Sequence, residues 1–138
     1  MNGTFTYSNP TKLHFGPNAL DNLATELQNY GPSVLLIYGK QSIKKNGLYD
    51  KIISILQAAG KTITEDPGVM PNPTVEKLAE GVARARTCKA DFILAVGGGS
   101  AMDAGKIMWV LYENPDVDFS DMSMDFMDIR KRIYTFPK

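Results

Sequence analysis

A glycine run set between an apolar strand and a helix does most to limit what this chain can fold into. Residues 91–113, DFILAVGGGSAMDAGKIMWVLYE, read as a buried strand over Phe92–Val96, a turn of Gly97, Gly98 and Gly99, and a helix opened by Ser100. A helix N-terminus leaves backbone N–H groups unpaired and carries about half a positive charge. Glycines let the backbone bend sharply and let a bulky anion approach with no Cβ in the way. Strand, glycine turn and helix start together make a phosphate cradle. A turn needed only for packing usually manages with one glycine, so the pattern favours phosphate binding; a purely structural turn is the other reading.

The chain has 138 residues, enough for one domain with one core. Its 15 basic and 15 acidic residues balance, which argues against a nucleic-acid binder that works through bulk positive charge. No apolar run approaches the ~18 residues of a membrane span, and MNGTFTYSNP at the start lacks the basic and apolar parts of a secretory signal. Cys88 is the sole cysteine, so no internal disulfide forms, which fits a reducing cytoplasm. His14 is the sole histidine, so no His/Cys metal site can be assembled from this chain alone.

In chain order, residues 4–7 and 12–15 are strand-like around Ser8, Asn9, Pro10 and Thr11, which predicts a β-hairpin with His14 as an ordinary strand residue. Asn18 as cap, the stripe Leu20, Leu23, Ala24 and Leu27, and Gly31 as stop predict a helix. The continuous apolar run VLLIY, residues 34–38, suits a parallel strand covered on both faces. Residues 39–47 read as a polar loop. Tyr49, Ile52, Ile53 and Leu56 form the next helical stripe, closed by Gly60, and residues 61–65 a weak strand. Pro67, Pro71 and Pro73 keep 66–73 as loop. Val75, Leu78, Ala79 and Val82 open a helix that ends near Cys88, itself read as a small core residue rather than a nucleophile. The acidic, methionine-rich stretch 114–128 lacks the glycine and glutamate of a calcium loop and reads as a solvated segment; 133–136 reads as one more strand.

Alternation of strand and helix with short loops predicts an α/β chain: a Rossmann-like parallel sheet with helices on both faces, preceded by the β-hairpin. Ligands of such folds sit beyond the carboxyl ends of the strands. Three loops occupy that edge here, Gly39 to Lys45, Gly68 to Pro73 and Gly97 to Ser100. Gly97, Gly98, Gly99 and Ser100 are placed to hold a pyrophosphate. Ser100 and Asp103 also have the spacing of a capping box, so Asp103 has two readings, a helix cap or a polar contact near the reactive end of a cofactor. Lys106 pairs with Asp103, reaches the ligand, or is solvated. An acidic residue after the first parallel strand would bond the 2′-OH of NAD and repel the 2′-phosphate of NADP. This chain has Gly39 there, with Ser42, Lys44 and Lys45 close by, which favours NADP over NAD. The turn at Gly39 lacks GxGxxG, which points away from the usual dinucleotide fold.

GGGSAMDAGK, residues 97–106, resembles the GGGSxxDxxK motif of the iron-dependent alcohol dehydrogenase family. NPTKLHFG at 9–16, YGKQSIKKNGLYD at 38–50 and MPNP at 70–73 resemble its butanol-dehydrogenase and NADPH-dependent aldehyde-reductase branch. KIMWVLYENPD and FMDIRKRIYTFPK, toward the end, are similar to the alcohol dehydrogenase half of bifunctional aldehyde–alcohol dehydrogenases. The resemblance covers essentially the whole chain. It implies that residues 1–138 are an N-terminal NAD(P)-binding domain, with Gly39 near the adenosine ribose and Asn72 lining the cofactor cleft. It also implies an all-helical domain, absent here, whose aspartate and three histidines hold Fe2+ or sometimes Zn2+. The chain then corresponds to the cofactor half of an enzyme that interconverts a primary alcohol and an aldehyde, with no catalytic or metal-ligating residue of its own. An apolar flank left by the missing domain predicts a homo-oligomer. Two other readings stand beside this one: a catalytically silent nucleotide-binding module or truncated fragment, and a glycerol dehydrogenase-like or dehydroquinate synthase-like enzyme with a similar glycine motif.

Overall fold

The computed structural model describes residues 3–117. Its centre is strand β1 (Ser33–Tyr38), which pairs in parallel with β2 (Thr62–Asp66) on one side and β3 (Phe92–Val96) on the other. Val34, Leu35, Leu36 and Ile37 are fully buried, which explains why this strand reads as an unbroken apolar run. Side chains alternate across a strand. Leu35 and Ile37 pack with Leu78, Val82, Ala85 and Met108 on one face. Val34, Leu36 and Tyr38 pack with Leu27, Ile43, Ile52 and Leu56 on the other.

Topology decides which helix covers which face. The connection from β1 to β2 carries α2 (Ser42–Lys45) and α3 (Leu48–Ala58). The connection from β2 to β3 returns past β1 and carries α4 (Val75–Cys88). Right-handed crossovers that run in opposite directions along a sheet lie on opposite faces. So α3 covers one face, with the short α1 (Leu23–Leu27), and α4 the other, where α5 (Gly99–Glu113) joins it.

Both long helices before the glycine turn end in the same hydrogen-bond pattern. At the end of α3, the Lys61 amide bonds the Leu56 carbonyl and the Gly60 amide bonds that of Gln57, with Gly60 at φ 73°. At the end of α4, Ala90 and Lys89 repeat the pattern on Ala85 and Arg86, but the left-handed position holds Lys89 at φ 51°. The start of α4 is capped by the Thr74 side chain, which accepts from the Lys77 amide.

Several sequence expectations need correction. No strand forms over residues 3–15. Only the turn survives, with Asn9 Oδ1 accepting from the Thr11 amide at 3.0 Å. Phe5, Tyr7, Leu13 and Phe15 are 79–95% exposed, and an isolated two-stranded hairpin is marginal without a surface to cover. His14 is therefore not a strand residue; its ring lies 3.2 Å from Glu26, which also pairs with Lys12 and is held below the usual carboxylate range chiefly by that lysine. The first helix shrinks to a 3-10 turn (Ala19–Asn22) followed by α1, and Asn18 makes no side-chain cap. Gly31 is not its stop. A Cβ there would meet the Asp91 carboxylate at 2.5 Å, and that carboxylate accepts from the Ser33 amide at the start of β1. The loop at 39–47 contains α2, because Ile43 is buried against the α3 side of the sheet. Val75 and Ala79 of the α4 stripe face solvent, and the buried face runs through Leu78, Val82 and Ala85. The expected acidic segment beyond 117 and the strand at 133–136 lie outside the described residues.

Lys89 bears a Cβ in a conformation that suits glycine. Replacing it by glycine, Lys89→Gly, should stabilise the chain by about 0.5–1 kcal/mol, seen as a higher urea midpoint with an unchanged slope.

Candidate functional site: the carboxyl edge of the sheet

The three strands are parallel, so Tyr38, Asp66 and Val96 end at one edge. There β1 leads into helices on one face and β3 into α5 on the other. The crevice between the ends of β1 and β3 is thus the point where the winding reverses, the place where open α/β sheets bind ligands. Two of the three predicted loops are joined directly. The Gly68 amide bonds the Gly39 carbonyl at 2.9 Å, and the Val69 amide bonds the Tyr38 carbonyl at 3.1 Å. Asn72, farther along the same loop, has φ 51°, a conformation asparagine tolerates better than most residues.

At the glycine turn the structure separates what each glycine is for. Gly97 has φ 146°, which a side chain would strain, and an added Cβ would sit 3.2 Å from that of Ala101. Gly98 has φ −80° and ψ −170°, open to any residue, and Gly99 is the first helical residue. A Cβ on either would meet nothing within 4 Å. Only Gly97 is required by the turn itself; the other two leave open space over the start of α5. Ala101 and Met102 bond back to the Gly98 carbonyl, whereas among the described residues the Gly99 and Ser100 amides find no acceptor. These are the unpaired donors an oxyanion would satisfy. Near the middle of α5, a Cβ on Gly105 would sit 3.0 Å from that of Ala95, so this glycine lets the helix approach β3 closely.

The capping box is not formed. Gly98 takes the cap position without a side-chain bond, which puts Ser100 second in the helix rather than at its cap. Asp103 and Lys106 are both exposed and 3.9 Å apart, a weak solvent-facing pair. Lys44 is drawn toward Tyr49 and Tyr38, its Nζ 4.8 Å and 5.6 Å from their ring centroids, while Ser42 and Lys45 are exposed on the same short helix.

Two acidic residues at the end of β2 escaped the sequence reading. Glu65 Oε1 accepts from the hydroxyls of Tyr38 (2.7 Å) and Tyr49 (2.8 Å). Burial, with that bond, pushes the Tyr38 phenol well above its ordinary range; at Tyr49 the bond to Glu65 is the larger cause of a rise. Asp66 is fully buried and pairs with Lys77 at 2.8 Å, itself only 9% exposed. Lys77 also donates to the Pro67 carbonyl (2.7 Å) and to Glu80 (3.2 Å), whose carboxyl it holds low. The pair thus fixes the start of the loop that carries Asn72. The clue in the sequence was TED closing a short strand, two carboxylates at the edge where ligands bind.

Two grooves elsewhere, about 410 Å³ between α1 and α3 and about 930 Å³ beside Asn18 and Asn46, contain none of the glycine-turn residues. Anion binding by exposed amides needs no enclosed cavity, so the turn and not these grooves is the candidate site. Among the described residues no three His, Cys, Asp or Glu side chains are grouped to hold a metal ion, and no helix is long and apolar enough to cross a membrane.

A parallel sheet wound on both faces, with a glycine turn at its reversal point, defines a Rossmann-like α/β unit. Residues 10–135 match the family model of the iron-containing alcohol dehydrogenases, and the chain belongs to that family. It is 52% identical over 102 residues to the probable NADH-dependent butanol dehydrogenase 1 of Bacillus subtilis, covering 74% of this chain and 26% of that protein. It is 44% identical over 129 residues to the bifunctional aldehyde-alcohol dehydrogenase of Escherichia coli, covering 94% of this chain and 14% of that one. The crystal structure of the NADH-dependent butanol dehydrogenase A of Thermotoga maritima superposes with a TM-score of 0.79 at 35% identity, over 98% of this chain and 32% of that one. The chain spans about a quarter to a third of these butanol dehydrogenases.

Lys77→Met would leave the buried Asp66 carboxylate without its hydrogen-bonded cation, with only the half-exposed Arg84 guanidinium 3.7 Å away. It should cost about 3–5 kcal/mol, whereas the double change Asp66→Leu with Lys77→Met should recover most of that loss. Urea unfolding of the three proteins checks both.

Proposed function

We propose that residues 1–138 are the NAD(P)-binding N-terminal domain of an oxidoreductase that interconverts a primary alcohol and an aldehyde. The observation that carries this reading is the open space over Gly98 and Gly99 beside two unpaired amides. Neither residue needs to be glycine for the chain's own packing, so the glycines serve a molecule that approaches the backbone. The nicotinamide cofactor, when bound, supplies the hydride acceptor or donor.

In this reading the chain's residues bind and orient. Gly97, Gly98, Gly99 and Ser100 receive the pyrophosphate at the start of α5, where the helix dipole adds to the amides. Gly39 puts no carboxylate at the adenosine ribose, and Ser42, Lys44 and Lys45 supply hydrogen bonds and positive charge, so the preferred nucleotide is NADP. Asn72 lines the cleft from the loop tied to Gly39. Asp103 lies one turn into α5, toward the reactive end, and Lys106 one turn beyond it. The residues present do not fit a catalytic metal: the sole histidine is engaged by Glu26, and among the described residues no three His, Cys, Asp or Glu side chains are grouped around a common point. Taken alone, the chain is therefore a binding module without turnover, belonging to the cytoplasm and, given the exposed Phe5, Tyr7, Leu13 and Phe15, prone to self-association.

Calorimetric titration with NADPH and, separately, NADH tests the reading; the names of the Bacillus subtilis relatives say NADH, so both arms matter. Saturable binding is expected, tighter for NADPH. Gly98→Leu should fold normally and weaken both nucleotides by about tenfold or more. Undiminished binding by that variant would remove the glycine turn from the site. A second check is enzymatic: aldehyde reduction with added Fe2+ or Zn2+ should give no turnover approaching ~10 s⁻¹.

A further inference from the structure

We propose that Lys44, Tyr38, Tyr49 and Glu65 form one charge-balanced cluster that sets the discrimination between NADPH and NADH, an inference that rests on the cofactor-domain reading above. Tyr38 ends β1 and directly precedes Gly39, so the cluster adjoins the proposed ribose position. Its rings meet edge to face, with centroids 5.6 Å apart. Both hydroxyls donate to the same oxygen of Glu65, one residue from the carboxyl end of β2. Lys44 lies against both rings from α2.

The arrangement has an electrostatic consequence. Among the described residues no cation comes within ion-pair distance of Glu65. Its charge is balanced through the two tyrosines instead. Donating to a carboxylate makes each phenol more electron-rich, and an electron-rich ring holds an ammonium more firmly. Lys44 is thereby kept beside the first turn rather than roaming in solvent. The whole unit is close to neutral, and a neutral neighbourhood admits a 2′-phosphate that an uncompensated Glu65 would repel. A ribose 2′-OH is indifferent to that balance, so changes in the cluster's charge should move the affinity for NADPH relative to NADH.

The test is a cycle of dissociation constants for NADPH and NADH on the unaltered chain, Lys44→Met, Glu65→Gln and the double variant. Lys44→Met should weaken NADPH relative to NADH by about fivefold, the order expected for one unit charge in partly solvated surroundings. Glu65→Gln, which keeps the shape of the acceptor, should shift the ratio about as far the other way, and the double variant should return it near its starting value. Both shifts should shrink in concentrated salt. Changes that affect the two nucleotides by the same factor, or ratios that stay fixed, would overturn the inference while leaving the cofactor domain intact. If the unaltered chain bound neither nucleotide, the domain reading would fall and take this inference with it.

Discussion

Burial of β1 on both faces is the constraint from which the remaining structure follows. A strand of Val34, Leu35, Leu36 and Ile37 has no polar side to offer water, so it must be roofed twice. One roof comes from the helices between β1 and β2, the other from the helix between β2 and β3. The chain achieves this by crossing β1 on its return, which gives the order β2-β1-β3. That same reversal opens the crevice at the carboxyl edge. The candidate site is therefore a by-product of how the core is covered, and the glycine turn of β3 falls beside the end of β1 by topology alone.

Within that edge the loops are not independent. The amides of Gly68 and Val69 close onto the carbonyls of Gly39 and Tyr38, and Lys77 holds the first residues of the same loop from α4. The end of β2 is thus tied to the end of β1 on one side and to a helix on the other. Such ties satisfy backbone groups that would otherwise be lost at a strand terminus. They also tie the backbone at Gly39 to the start of the loop that carries Asn72.

The sequence made the long-period features legible. The five-residue apolar run gave the central strand. The stripes gave α3 and the buried part of α4, and the strand, glycine turn and helix gave the heart of the edge. Features that depend on what stands opposite were hidden. Residues 4–15 alternate like a hairpin, but strand pairing needs a surface to cover, and none of the described elements provides it. Ser100 and Asp103 matched a capping box in spacing, yet Gly98 took the cap because the chain enters α5 two residues earlier than the hydroxyl would need. Asp66 and Lys77 are eleven residues apart, and only the packing of β2 against α4 shows them buried together. Tyr38, Tyr49 and Glu65 likewise come from three elements, and no local pattern joins them.

The pairing of β1 carries a consequence in time. Val34 meets Ile63 on one side and Phe92 on the other. During synthesis the first partner emerges well before the second. At roughly 5–20 residues per second the interval is between about one and six seconds. Throughout it, the most apolar of the described strands has one unpaired edge, and the face destined for α4 and α5 gains α4 only late in the interval. Non-local parallel pairing of this kind is slow and exposes the chain to aggregation. The nascent chain thus passes through a window in which the segment that later organises the core has an open edge; the arrival of β3 pairs that edge, and the glycine turn and α5 follow directly behind it.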